Sequence, residues 1–103
     1  MFVLKNIIAL SALVRHWEKP GRSDSEQPLK IWYSEAKKAE WSSPHDVKKQ
    51  FRSSSLIANN RVVFNIKGND FRLVVAINFV QTACYVIWFG THAEYDKINV
   101  ETV

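Results

Sequence analysis

RVVFNIKGNDFRLVVAINFVQTACYVIWFGTHAEY, residues 61–95, is the stretch whose reading decides the fold. β-branched and aromatic residues dominate 61–67, 71–80 and 84–91, and turn formers separate them, so three consecutive strands are predicted. Gly68-Asn69 is a candidate two-residue turn, because glycine supplies the positive φ that a type II′ turn needs at its first position. The turn fixes a register: Lys67 opposes Asp70, Asn65 opposes Arg72 and Val63 opposes Val74. Alternation then puts Arg61, Asn65, Lys67 and Arg72 on one face. The other face, Val62, Phe64, Ile66, Phe71, Leu73, Val75, Ile77 and Phe79, is apolar throughout and must be covered.

The next connection is less sharply marked, because Gln81-Thr82 lacks the residues that favour a primed turn. Read as a two-residue turn, it sets Arg72 opposite Thr91 and Ala76 opposite Ile87, with His92 at the strand end. A longer loop shifts that pairing. Either way a histidine, the tyrosine at 95 and several cations gather towards one end of one face. Cations bind phosphate and stabilise its developing charge, while His and Tyr move protons, so the grouping suits phosphodiester chemistry. Singly, each has a plainer meaning. Arg61 or Lys67 alone is a solvated strand residue, His92 is equally a surface or capping histidine, and Tyr95 closes a core with its hydroxyl wet. Convergence carries the functional reading.

A chain of 103 residues with 47% hydrophobic residues and four Trp is expected to form one domain, 1–103, around a single core. The net charge is +4, and the pI near 9.4 favours an anionic partner. The charge is concentrated: Lys48, Lys49, Arg52, Arg61, Lys67 and Arg72 stand against the one acid Asp70, a local net of +5. A basic segment on a balanced scaffold is the footprint of a nucleic-acid binder, and Lys48, Lys49, Arg61 and Lys67 are its candidate contacts. The segment is largely strand and turn, which argues against a membrane-surface helix. The lone Cys84 cannot form an internal disulfide, as suits a reducing cytoplasm. Three dispersed histidines, His16, His45 and His92, have no zinc spacing, so no metal or other cofactor is expected. The apolar run 7–14 is stopped by Arg15-His16-Trp17 and is too short to span a bilayer.

In order, residues 1–4 suit a short strand and 6–17 a helix with Ile7, Leu10, Val14 and Trp17 on one face. A polar loop, 18–26, follows. Pro28 suits the first position of a second helix running to about Glu40, with Leu29, Trp32, Ala36 and Ala39 buried. Ser43 as N-cap, Pro44 and Asp46 open a short helix through Phe51. Residues 53–60 read as a loop, and the tail after His92 as a brief turn loosely held. The class is α+β: a small, mainly antiparallel sheet with two N-terminal helices on one face.

WYSEAKKAEW (32–41), RVVFNIKGN with FRL (61–73) and GTHAEYDKI (90–98) together resemble the HigB toxins of bacterial type II toxin–antitoxin modules, within the RelE-like ribonuclease superfamily. The resemblance covers nearly the whole chain. It implies a compact RelE-like domain with an N-terminal strand at the sheet edge, and an endoribonuclease acting on mRNA in the ribosomal A site. It implies 2′-hydroxyl attack on the adjacent phosphate without a metal, and neutralisation by a cognate HigA antitoxin of helix-turn-helix type, operator DNA being met only through that complex. It puts the phosphate-binding arginine at Arg72 and proton transfer at His92, with Tyr95 assisting and Lys97 on RNA. Where such chains carry Lys or Arg, this one has Ala76 and Ile87. The rival reading is therefore a catalytically weak RNA-binding or antitoxin-binding module of the same fold.

Overall fold

The computed structural model describes residues 6–8, 18, 23–81 and 83–103. One sheet of five strands organises them: β1 (Asn6–Ile8), β2 (Ser55–Ile57), β3 (Arg61–Ile66), β4 (Phe71–Asn78) and β5 (Ala83–Thr91), in the order β1-β5-β4-β3-β2. β1 runs parallel to β5 at one edge, and the other pairs are antiparallel. The helices are α1 (Glu26–Lys38), entered through a 3-10 turn at Ser23–Ser25, α2 (Pro44–Gln50) and α3 (His92–Tyr95).

The α+β class and the edge strand agree with expectation. The helix expected from Asn6 does not begin there, since Asn6–Ile8 pair with Ala83–Tyr85 as strand. Ile7 and Ile8 are β-branched, which suits a pleated neighbour better than a helical turn. The rest of that helix, and the strand expected at 1–4, lie outside the described residues.

The hairpin register holds, with Asn65 opposite Arg72 and Val63 opposite Val74. Gly68 has φ 62 as the turn requires, but Lys67 also enters the left-handed region at φ 53. Regular pairing therefore ends at Ile66 and Phe71, and Asp70 N–H closes the turn on the Lys67 carbonyl at 3.1 Å.

All eight residues of the expected apolar face are buried except Phe79, which is half-buried. α1 covers them with Leu29, Trp32 and Ala36, and Ala39 just beyond it is buried too. Phe64 is the centre of this packing. Trp32 and Phe51 meet it edge-on at 5.4 and 4.9 Å, while Trp41 stacks at 6.4 Å. Offset and edge-to-face pairs suit the quadrupoles of the rings. Trp41 Nε1 donates to Gln50 Oε1 at 3.0 Å, so its polar edge is satisfied.

α1 starts two residues before Pro28, a position still within the first turn, where the missing N–H costs no intrahelical bond. Ser43 takes the N-cap backbone position of α2 but makes no side-chain cap bond. Asp46 reaches back instead, its Oδ2 accepting from Ser42 N–H at 2.9 Å and Ser42 Oγ at 2.8 Å. Those bonds, the backbone one first, hold its carboxyl below the ordinary carboxylate value.

The segment 53–60, expected as loop, contains strand β2, whose Ser55 pairs Val63. Three residues are too few to alternate visibly, which hid it. The tail is fastened rather than loose. Arg61 Nη1 donates to the carbonyls of Val100 at 2.9 Å and Val103 at 2.7 Å. Residues 92–103 thus lie over the face opposite α1, where Val63 and Val74 are 2% and 0% exposed.

Candidate active site

One inserted residue decides which side chains share the Arg72 face. The β4–β5 ladder shifts between Val74 and Val75, where Ile87 is the unpaired residue of a β-bulge. Before it, Cys84 and Val86 oppose Ile77 and Val75 on the helix-covered side. After it, Phe89 and Thr91 oppose Leu73 and Phe71 on that side instead. Trp88 and Gly90 therefore join Arg72 on the other face.

The expected pairings of Arg72 with Thr91 and Ala76 with Ile87 are replaced by Arg72 with Gly90 and Ala76 with Tyr85. Four residues, not two, separate Asn78 from Ala83, and the bulge then removes half of the resulting slip. The pairing continues one step past the strands, as His92 N–H donates to the Asp70 carbonyl at 3.0 Å.

His92 is then the diagonal neighbour of Arg72 across the β4–β5 ladder, within reach of a long side chain. Arg72 Nη2 lies 2.9 Å from His92 Nδ1. Arg72 Nη1 donates to the carbonyls of Asn69 and Phe71 at 3.1 Å each, which hold the guanidinium at the turn. A guanidinium only donates, so Nδ1 accepts and the ring proton is assigned to Nε2. Nε2 faces Asp96 Oδ2 at 3.5 Å. His92 remains about half exposed, so a ligand can reach both groups.

α3 aims the imidazole. Thr91 Oγ1 accepts from Glu94 N–H at 3.1 Å and Glu94 Oε1 accepts from Thr91 N–H at 2.8 Å, a capping box that starts the helix at His92. Gly90 makes room for it. A Cβ there would lie 2.7 Å from Trp88 Cη2 and 2.8 Å from Glu94 Oε1. The Trp88 ring covers Gly90 and approaches Tyr95 at 6.1 Å, so half-buried Tyr95 lies on the side of the sheet that carries Arg72.

Sequence alone gives Asn69 only as a turn residue and passes over Glu94 and Asp96. The Thr-x-x-Glu spacing at 91–94 and an acid four residues after His92 were the available signals.

The other candidates divide. Lys67 is near the pair but bound to Asp24 at 2.8 Å and to Asp70 at 3.6 Å. The hydrogen bond it donates to Asp24 raises its ammonium above the ordinary lysine value. Arg61 is four residues from Asn65 along β3, roughly 13 Å away, with Nη1 committed to the tail. Lys48 donates to the Ser54 carbonyl. Lys49, Lys97 and Arg52 are exposed, and none of their three side chains has a hydrogen-bond partner among the described residues.

A small, mainly antiparallel sheet covered by helices on one face is consistent with the RelE-like class. The chain belongs to the HigB toxin family, described as the RelE-like toxic component of a toxin–antitoxin system, whose family model matches residues 25–98. It is also similar to a protein of Escherichia coli O6:H1 named mRNA interferase HigB, at 31% identity over 69 residues, covering 65% of this chain and 67% of that protein.

Proposed function

We propose that this toxin is a metal-independent endoribonuclease that cleaves mRNA on translating ribosomes. The Arg72–His92 contact is the observation that carries the reading. The 2′-hydroxyl attacks the adjacent phosphorus, the P–O5′ bond breaks, and the products are a 2′,3′-cyclic phosphate and a 5′-hydroxyl. In the free protein Arg72 occupies the Nδ1 lone pair. A bound phosphate draws the guanidinium to itself, because a charge-assisted bond to an anion outcompetes one to a neutral ring. That frees Nδ1 to take the 2′-hydroxyl proton, which the imidazolium then returns to the departing 5′-oxygen, while Arg72 offsets the charge growing on the phosphorane. Asp96 favours the imidazolium that forms, and Tyr95 orients the reacting group.

The mRNA interferase named above supports the substrate class. The partner is a HigA-type antitoxin carrying a helix-turn-helix, and operator DNA is met only through that complex. No helix among the described residues is long and apolar enough to cross a membrane.

Primer extension on mRNA from translating ribosomes, with and without a chelator, tests the proposal. Cuts that persist in chelator, end in cyclic phosphate and disappear when the cut nucleotide is 2′-deoxy are expected. Cuts that vanish with the chelator, or survive the 2′-deoxy change, overturn it.

A further inference from the structure

The basic segment 48–72 contains six cations, but folding does not leave them equal. Lys67 is ion-paired with Asp24 and Asp70, Arg61 holds two tail carbonyls, and Lys48 holds the Ser54 carbonyl. Arg52 has no hydrogen bond or ion pair among the described residues and is exposed, as is Lys49 one turn earlier. Lys49 is close enough to Asp46 to help lower its carboxyl.

The sheet connects Arg52 to the Arg72–His92 pair. Gly90, Arg72 and Asn65 form one row across β5, β4 and β3. The β2–β3 register, Ser55 with Val63, extends that row to Ser53, and Asn65 Nδ2 donates to the Ser53 carbonyl at 3.3 Å. Neighbouring strands are about 4.8 Å apart, so the row runs roughly 10 Å from Arg72 to the turn that carries Arg52.

We infer that a single RNA strand leaves the Arg72–His92 pair perpendicular to the strands, over Asn65, and that its next phosphates bind Arg52 and Lys49 rather than Arg61 or Lys67. The direction follows from which charges remain uncompensated. A phosphate gains most from a guanidinium that gives up no existing partner, and Arg52 meets that condition where Arg61 and Lys67 do not. The inference rests on the endoribonuclease reading for the identity of the ligand.

The test is fluorescence anisotropy of a labelled single-stranded 2′-O-methyl RNA, which lacks the attacking hydroxyl, titrated with the full chain over a salt series. Arg52→Gln should weaken binding several-fold and flatten the salt slope by about 0.7, the share of one phosphate contact on a single strand. Arg61→Gln and Lys67→Gln should match the wild type in slope. Equal binding by Arg52→Gln and wild type overturns the track but leaves the nuclease reading standing. Loss in Arg61→Gln or Lys67→Gln with none in Arg52→Gln places the strand along β3 and also overturns it. A wild type that never binds the oligonucleotide also overturns the track, while cleavage on ribosomes remains the separate test of the nuclease reading. Unchanged unfolding temperatures of these variants exclude a folding defect as the cause.

Discussion

Arg72 Nη2 and His92 Nδ1 stand 2.9 Å apart, so the guanidinium is parked on the lone pair that a general base would use. The contact depends on the bulge at Ile87 and the capping box at Thr91–Glu94, and both can be disturbed without touching either residue.

Gly90→Ala is the most direct disturbance. A methyl there meets Trp88 Cη2 at 2.7 Å and Glu94 Oε1 at 2.8 Å, closer than van der Waals contact permits. Moving the ring or the carboxylate costs about 1–3 kcal/mol by analogy with overpacked cores. Urea unfolding should show that loss, with an altered near-ultraviolet signal from Trp88. Stability equal to wild type would show that the ring does not rest on Gly90.

Much of this arrangement is legible before the structure. The alternation of 61–67 and 71–80 identifies the buried face, and Gly68 identifies the turn that sets Asn65 beside Arg72. The Arg72–Gly90 pairing is not legible. Ile87 is β-branched and fits a regular strand as well as a bulge, so nothing local marks it as the extra residue. Occupancy of the cations is hidden for another reason. Lys67 finds Asp24 across 43 positions and Arg61 finds the tail across 39 and 42, contacts that no short-range pattern encodes.

Arg61→Gln removes the donor that clasps the Val100 and Val103 carbonyls. Amides at the end of the chain, Thr102 and Val103, which donate to the Asn99 carbonyl at 3.1 and 2.9 Å, should then exchange with solvent faster than in wild type. Unchanged exchange would mean that the tail holds without Arg61.

Asp46 makes a pH-dependent contribution. Its carboxyl is held below its ordinary 3.8 by Ser42, so the charged form is favoured in the folded state. That stabilisation is complete above the unfolded value and is lost as pH falls through the lower folded value. Asp46→Ala should therefore be less stable than wild type at neutral pH, and the gap should narrow in acid below 3.8. A gap independent of pH would assign the effect to something other than the charge.

Cys84 is 0% exposed, and burial pushes its thiol up to about 12. At pH 8 only about one part in 10⁴ would be thiolate, the reactive form. A thiol reagent should label the native protein only at the rate at which it unfolds, and promptly in urea. Rapid labelling of the native state would contradict the burial.

The central claim is that Arg72 and His92 cleave RNA as a unit, and single-turnover cleavage of a ribosome-bound message by wild type, Arg72→Ala, His92→Gln and the double variant tests it most directly. Each single change should slow cleavage by roughly 100-fold to 1,000-fold and relieve growth arrest while the fold persists. The double variant should lose far less than the product of the two, as residues acting together do. Wild-type cleavage by either single variant would contradict the account.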